Sequence, residues 1–234
     1  CDWSSDVCSS DLGDQLDRDA AAFDGFDPAR DAVVMTEARE ETAHGRAHKK
    51  RLVLFFSAMR HFAEELRERG WTVHYHALDG EAPAATLAEG ASRHAAEEVR
   101  VTEPGDWRVR EALLARFPGI VMHGDRHFLS TPGEFTEFRE GRKRLVLEDF
   151  YRMMRRRTGW LMEGDAPAGG DWNFDRENRK AFGREGPGLT PGRPESRPDN
   201  MTEAVMKMVE REFPDAPGST AGFAEPVTRR AALA

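Results

Sequence analysis

Between Leu12 and Phe138, short runs of β-favouring residues alternate with longer stretches of helical period, and that alternation restricts the chain to few folds. The β runs are Ala32–Thr36 (AVVMT), Thr72–Ala77 (TVHYHA), Val99–Thr102 (VRVT) and Ile120–His123 (IVMH). The clearest helical stretch, from about His48 to Arg69, repeats Leu52, Phe55, Phe56, Met59, Phe62, Ala63 and Leu66 at steps of three and four. Gly70 suits a left-handed cap there, and Trp71 leads into the next strand. Strand and helix in this order imply a parallel sheet with right-handed crossovers and helices on both faces. The expected fold over residues 12–138 is therefore α/β, a doubly wound, Rossmann-like parallel sheet. Ligands of such sheets sit at the carboxyl ends of strands. That singles out the loops Gly13–Leu16, Glu37–His48, Glu103–Trp107 and Gly124–Phe128.

The first twelve residues do not fit the pattern. Cys1–Leu12 (CDWSSDVCSSDL) has neither helical nor strand period, and Asp2 through Leu12 reads as the in-frame translation of a sequencing adapter. Residues 1–12 are accordingly expected to be foreign, with Leu12–Gly13 the stump of a first strand. Both cysteines, Cys1 and Cys8, fall in this stretch, so disulfide and metal arguments from cysteine lapse. The formal charge of −8 becomes −8 + 3 = −5 without Asp2, Asp6 and Asp11. On so mildly acidic a chain, any nucleic-acid contact must come from a local patch. Charged residues make up 32% and no apolar run is long enough to cross a bilayer, so a cytoplasmic protein is expected.

After Phe138 the character changes. Arg139 to Arg157 holds eight basic residues against three acids, and Leu145–Arg157 has helical period. Gly159 to Asn200 is rich in glycine and proline and reads as a connector. Thr202–Phe213 is a short helix that Asp199 or Asn200 can cap. Residues 139–226 thus read as a basic helix and interdomain linker, and 227–234 as the start of an all-helical domain cut short.

Four stretches carry a family resemblance. They are LGDQLD at Leu12–Asp17, HKKRLVLFFSAMRHFAEELRERG at His48–Gly70, VTEPGDWRVR at Val101–Arg110 and EDFYRMMRRRTGWLMEGDAPAGGDWNFDRENRKAF at Glu148–Phe182. Colinear and in register, they resemble the iron–sulfur bacterial branch of the photolyase/cryptochrome family, the deoxyribodipyrimidine-photolyase-related proteins. The resemblance implies light-driven repair of (6-4) photoproducts in UV-damaged DNA. It also implies a lumazine-type antenna chromophore in this α/β domain, and FAD and an iron–sulfur cluster in a C-terminal helical domain that follows. Such a cluster needs cysteine thiolates, and outside Cys1 and Cys8 this chain has none. The expected partners are damaged DNA, reached through the full-length protein, and the chain's own C-terminal helical domain. A monomer is expected. A blue-light cryptochrome without repair activity, or a generic nucleotide-binding α/β module, are the alternatives.

Site residues follow from the strand ends and the resemblance together. Gly13, Asp14 and Gln15 offer close backbone approach and donors and acceptors for a heterocycle or ribityl hydroxyls; without the resemblance they form a simple capped turn. Glu37, Glu41 and His44 follow the second β run, where a carboxylate suits a ring N–H; a solvated acidic loop is the competing reading. Glu103 stands at a third strand end, ahead of a Pro104–Gly105 turn and an Asp106 cap, and Trp107 is expected in the core. The Arg155–Arg157 run invites contact with DNA phosphates or merely a solvated face. Trp172 and Phe174 are expected to anchor the connector, and His74 and His76 to pack. No residue is assigned a catalytic or metal-ligating role; no H-E-x-x-H, Walker or G-x-G-x-x-G pattern occurs.

Overall fold

The computed structural model describes residues 7–9, 15–39, 47–94, 96–175, 181–186, 188 and 196–233, with the side chains of 7–9 excepted. Five parallel strands form one sheet: β1 (Val7–Ser9), β2 (Ala32–Thr36), β3 (Thr72–His76), β4 (Val99–Thr102) and β5 (Val121–His123), in the order β3-β2-β1-β4-β5. The helices that serve this sheet are α1 (Lys49–Glu68), α2 (Leu87–Ala91) and α3 (Trp107–Arg116). Beyond them come α4 (Pro132–Arg139), α5 (Leu147–Thr158), α6 (Asn200–Glu212) and α7 (Arg229–Ala232), with a two-stranded ribbon of β6 (Met162–Glu163) and β7 (Ala166–Pro167).

The central strand corrects the sequence reading. Val7–Ser9, inside the stretch expected to lack strand period, pairs with both β2 and β4, with Val7 opposite Ala32 and Val99. The reason is that a central strand is set by main-chain hydrogen bonds to two neighbours, a signal that side-chain alternation does not carry. The expected stump at Leu12–Gly13 lies outside the described residues.

The residues of β2 are buried throughout and divide by parity between two apolar layers. Val33 and Met35 join Phe56, Met59 and Leu66 of α1 and Met208 and Val209 of α6, whereas Val34 packs with Ala91 of α2. A third cluster joins Val101 of β4 to Leu87 of α2 and Leu113 of α3. Helix α2 approaches the sheet closely: a Cβ on Gly90 would stand 2.2 Å from Thr36 Oγ1.

The cations at the α1 N-terminus, unfavourable for the helix dipole, find partners within the chain. Lys49 Nζ lies 2.5 Å from Glu210 Oε2 of α6, and Lys50 Nζ donates to the Gly222 carbonyl at 2.9 Å. Lys49 and the Thr220 amide hold the Glu210 carboxyl down to about 2. His48 caps the helix through Nδ1, and a Cβ on Gly218, whose φ is +80°, would stand 1.9 Å from His48 Nε2, so no side chain fits there.

The chain divides into two compact units, Cys1–Arg126 with Pro194–Ala234, and His127–Arg193. That differs from the division expected at 138: helix α6, read as part of the linker, lies in the first unit with Val205, Met208 and Val209 in its main core. In the second unit, Arg155 is the one buried residue among those described. Its helices hold by local signals instead. Thr131 and Glu134 form a capping box on α4, and Gly159, at φ +72°, ends α5.

Candidate functional site

Strands of a parallel sheet all end on the same edge, and here that edge collects polar groups that the protein does not satisfy. Thr36 ends β2, Thr102 ends β4 and His123 ends β5, while Gln15 follows β1. Thr36 Oγ1, Thr102 Oγ1, His123 Nε2 and Gln15 Oε1 are each buried without a hydrogen-bond partner among the described residues. Buried polar atoms are rarely left so, because each forfeits about 1–3 kcal/mol of solvation.

Three of the four adjoin. Thr102 and His123 are register partners, so their side chains leave the same face of the sheet. Gln15, 3% exposed, donates Nε2 to the Glu103 carbonyl at 3.1 Å, one residue beyond Thr102, and keeps Oε1 unmatched. The Glu103 side chain accepts from Arg110 Nε of α3 at 3.1 Å. The fourth atom, Thr36 Oγ1, belongs to the α2 side, under Gly90.

Of the residues singled out from sequence, Gln15 and Glu103 are therefore brought together, and Gly13, Asp14, Glu41 and His44 lie outside the described residues. Glu37 takes a different part. It is fully buried, and all its acceptor directions are filled by the protein. Arg60 grips it bidentately at 2.7 and 3.0 Å, the Tyr75 hydroxyl donates at 2.7 Å, and the Leu78 amide donates at 2.8 Å. Arg60 also bonds Asp79 at 2.7 Å, and these carboxylates raise the guanidinium's pKa against the opposing effect of burial. This arrangement makes Glu37 the clamp between β2, α1 and the end of β3.

Trp107 corrects the expectation of a core residue. It is 67% exposed, with the Arg110 guanidinium 5.6 Å from its ring centre. The cause is local. Asp106 caps α3 by accepting from the Arg108 amide, and this start turns Val109 and Leu113 inward and position 107 outward. An indole is thus presented to solvent at the first position of α3, four residues beyond Glu103.

His74 and His76 do pack, but with a third histidine that the sequence reading passed over. His94 stacks on His74 at 4.1 Å and sets its Nε2 3.0 Å from Nε2 of His76. Burial, and then the neighbouring His74 and His76, depress the His94 pKa to about 4. The unmatched Thr102 and His123 were missed as well. Their signal was available, since both are polar residues at the last position of a β run.

The second unit holds a concavity of about 380 Å³ lined by Glu148, Tyr151, Arg155 and Trp172 among others. Arg155 points its guanidinium at the carbonyls of Trp172 and Leu161, and Arg157 pairs with Glu134. The Arg155–Arg157 run is therefore largely engaged within the protein. Trp172 lies against the guanidinium of Arg156 at 4.7 Å.

Among the described residues no three side chains are placed to hold a metal ion, and no helix is long and apolar enough to cross a membrane. A (6-4) photolyase of Agrobacterium fabrum is 44% identical over 228 residues, 93% of this chain and 44% of that protein's length. An uncharacterised protein of Acanthamoeba polyphaga mimivirus is 24% identical over 141 residues, 56% of this chain and 71% of its own. The chain thus spans less than half the length of the photolyase it matches. The profile of the family described as deoxyribodipyrimidine photo-lyase-related protein matches residues 12–224, and the chain belongs to that family.

Proposed function

We propose that this chain is the antenna-binding and linker portion of a photolyase-type flavoprotein that repairs (6-4) lesions in UV-damaged DNA. The catalytic chemistry belongs to the other portion of that protein, with FAD and an iron–sulfur cluster. A four-thiolate cluster does not fit the two cysteines of this chain. The sheet is read as doubly wound, with its ligand at the carboxyl edge.

The observation that carries the antenna reading is the set of unmatched buried atoms at that edge: Gln15 Oε1, Thr102 Oγ1 and His123 Nε2. A lumazine, when bound, supplies light absorption and energy transfer. Its ring amides and ribityl hydroxyls have the donors and acceptors these atoms lack. In this reading Gln15 and Glu103 orient the polar edge of the ligand, and the Trp107 indole covers its face. Glu37 acts at one remove by holding the ends of β2 and β3 against α1. Gly13, Asp14, Glu41 and His44 complete the proposed set of ligand residues.

Titration of the chain with a ribityl lumazine, followed by lumazine fluorescence, tests the reading. A saturable change is expected, with affinity lowered about 5- to 30-fold in Gln15→Leu, the equivalent of about 1–2 kcal/mol for one lost hydrogen bond. Trp107→Ala lowers it too. No saturable change, or variants that titrate as the parent does, overturns the reading.

A further inference from the structure

We propose that the turn at residues 139–144 is a lesion-independent contact for the phosphate backbone of duplex DNA. Within six residues it carries Arg139, Arg142, Lys143 and Arg144 against Glu140 alone, and all are exposed. None of the four cations has a carboxylate partner among the described residues. No other six-residue stretch of the described chain leaves four cations unmatched.

The contrast with the first unit gives the observation its weight. There the arginines are mostly paired: Arg18 with Glu65, Arg60 with Glu37, Arg67 with Glu64, Arg93 with Glu89, Arg110 with Glu103 and Arg126 with Asp24. On an acidic chain of charge −8, carboxylates are plentiful, and a cluster that meets none of them keeps its charge for an outside anion.

The turn is also held in shape. Gly141 adopts φ +71°, and the Arg142 amide bonds the Arg139 carbonyl at 3.2 Å. Arg142 donates Nε to the Phe138 carbonyl at 2.8 Å and lays its guanidinium 4.0 Å over the Phe138 ring. Phe138 in turn packs edge-on against Phe150 of α5 at 5.1 Å. A guanidinium fixed on an aromatic base keeps its outer N–H groups free and ordered, so little entropy is lost when it meets a phosphate. The nearby acids are Glu137 at the end of α4, Glu140 in the turn, and Glu148 and Asp149 in the first turn of α5. Glu148 is already taken by Arg152 and Asn173.

Backbone contacts of this kind position a protein on a duplex without reading sequence or lesion. The choice of DNA among polyanions rests on the photolyase-type reading above; the existence of an anion surface does not.

The test is anisotropy of a fluorescein-labelled, undamaged duplex titrated with the full chain over a range of potassium chloride concentrations. The variant Arg142→Ser/Lys143→Ser/Arg144→Ser is compared with a charge-matched control, Arg67→Ser/Arg69→Ser/Arg108→Ser, after circular dichroism confirms that both fold. The parent should bind with a salt slope that shrinks by up to about 2.7 in the first variant, at roughly 0.9 per phosphate contact. In the control the slope should stay unchanged. Equal loss in both triples, or parent binding that ignores salt, overturns the proposal. So does polyglutamate that competes as well as unlabelled duplex, which would mark an acidic protein as the partner. Lumazine titration of the same variants reads the strand-end site separately, so failure at the turn and failure of the antenna reading are distinguishable.

Discussion

The two units use their apolar and charged residues in opposite ways. Among the described residues, all three apolar clusters lie in the first unit, whereas eleven of the thirteen large apolar side chains exposed to solvent lie between His127 and Arg193. The first unit likewise turns most of its arginines onto carboxylates, while in the second Arg139, Arg142, Lys143 and Arg144 meet no carboxylate among the described residues. The first unit can thus draw its stability from burial. The second takes its form from caps, a ribbon and aromatic–arginine contacts. Leu147, Trp160, Leu161 and Phe174 are all exposed in this second unit, which buries little of its apolar surface within itself.

The largest expected effect falls on the charge clamp of the first unit. Arg60→Ala strands the buried Glu37 carboxylate and should lower unfolding free energy by about 3–5 kcal/mol. A urea melt checks it, and a loss under about 1 kcal/mol would mean that the clamp does not hold the unit. Next comes a matched pair of truncations. Met208→Ala removes a 1% exposed side chain of α6 from the main core and should cost about 2–5 kcal/mol. Leu147→Ala, at a position 80% exposed, should change stability by no more than about 0.5 kcal/mol. Similar losses in the two would erase the difference between the units.

A smaller effect is expected from the histidine cluster of His74 and His76 on β3 and His94 beyond α2. His94 is held near 4 against an ordinary value of 6.5, and burial also lowers His74 and His76. Between those two pH values the unfolded chain binds the extra proton and the folded chain resists it. Stability therefore falls as pH drops from about 6.5 toward 4, and the His94 contribution levels off below that. Melting temperatures across that window should show a shallower slope in His94→Gln, and an unchanged slope would remove the histidines from the account.

Much of the first unit was legible because its signals are local. The limits read for β2 and β4 are those observed, and α1 differs from its expected span by one residue at each end. Helical period and strand composition suffice for such elements. What escaped was non-local. Helix α6 and its C-cap Phe213 return to α1 through Lys49–Glu210, 161 residues apart, and the Phe56–Phe213 stack, and no window of sequence contains both partners. The strand Val7–Ser9 depends on two neighbours for its pairing. In the candidate site, Glu103 and Gln15 were read from strand ends, while Glu37 was read as a ligand group because its burial partners Arg60, Tyr75 and Leu78 come from separate elements. Trp107 was misplaced because a tryptophan's size suggests the core, and the helix phase set by Asp106 overrides it.

Hydrogen exchange measured by mass spectrometry, with and without a ribityl lumazine, tests the division most directly. Amides of α1, β2, β3 and α6 should share the slowest exchange, and lumazine should add protection around residues 15–17 and 103–107. Those of α4 and α5 should exchange faster and stay unchanged by lumazine. Exchange in α5 as slow as in α1, or lumazine protection arising in His127–Arg193 instead of the strand ends, would contradict the account.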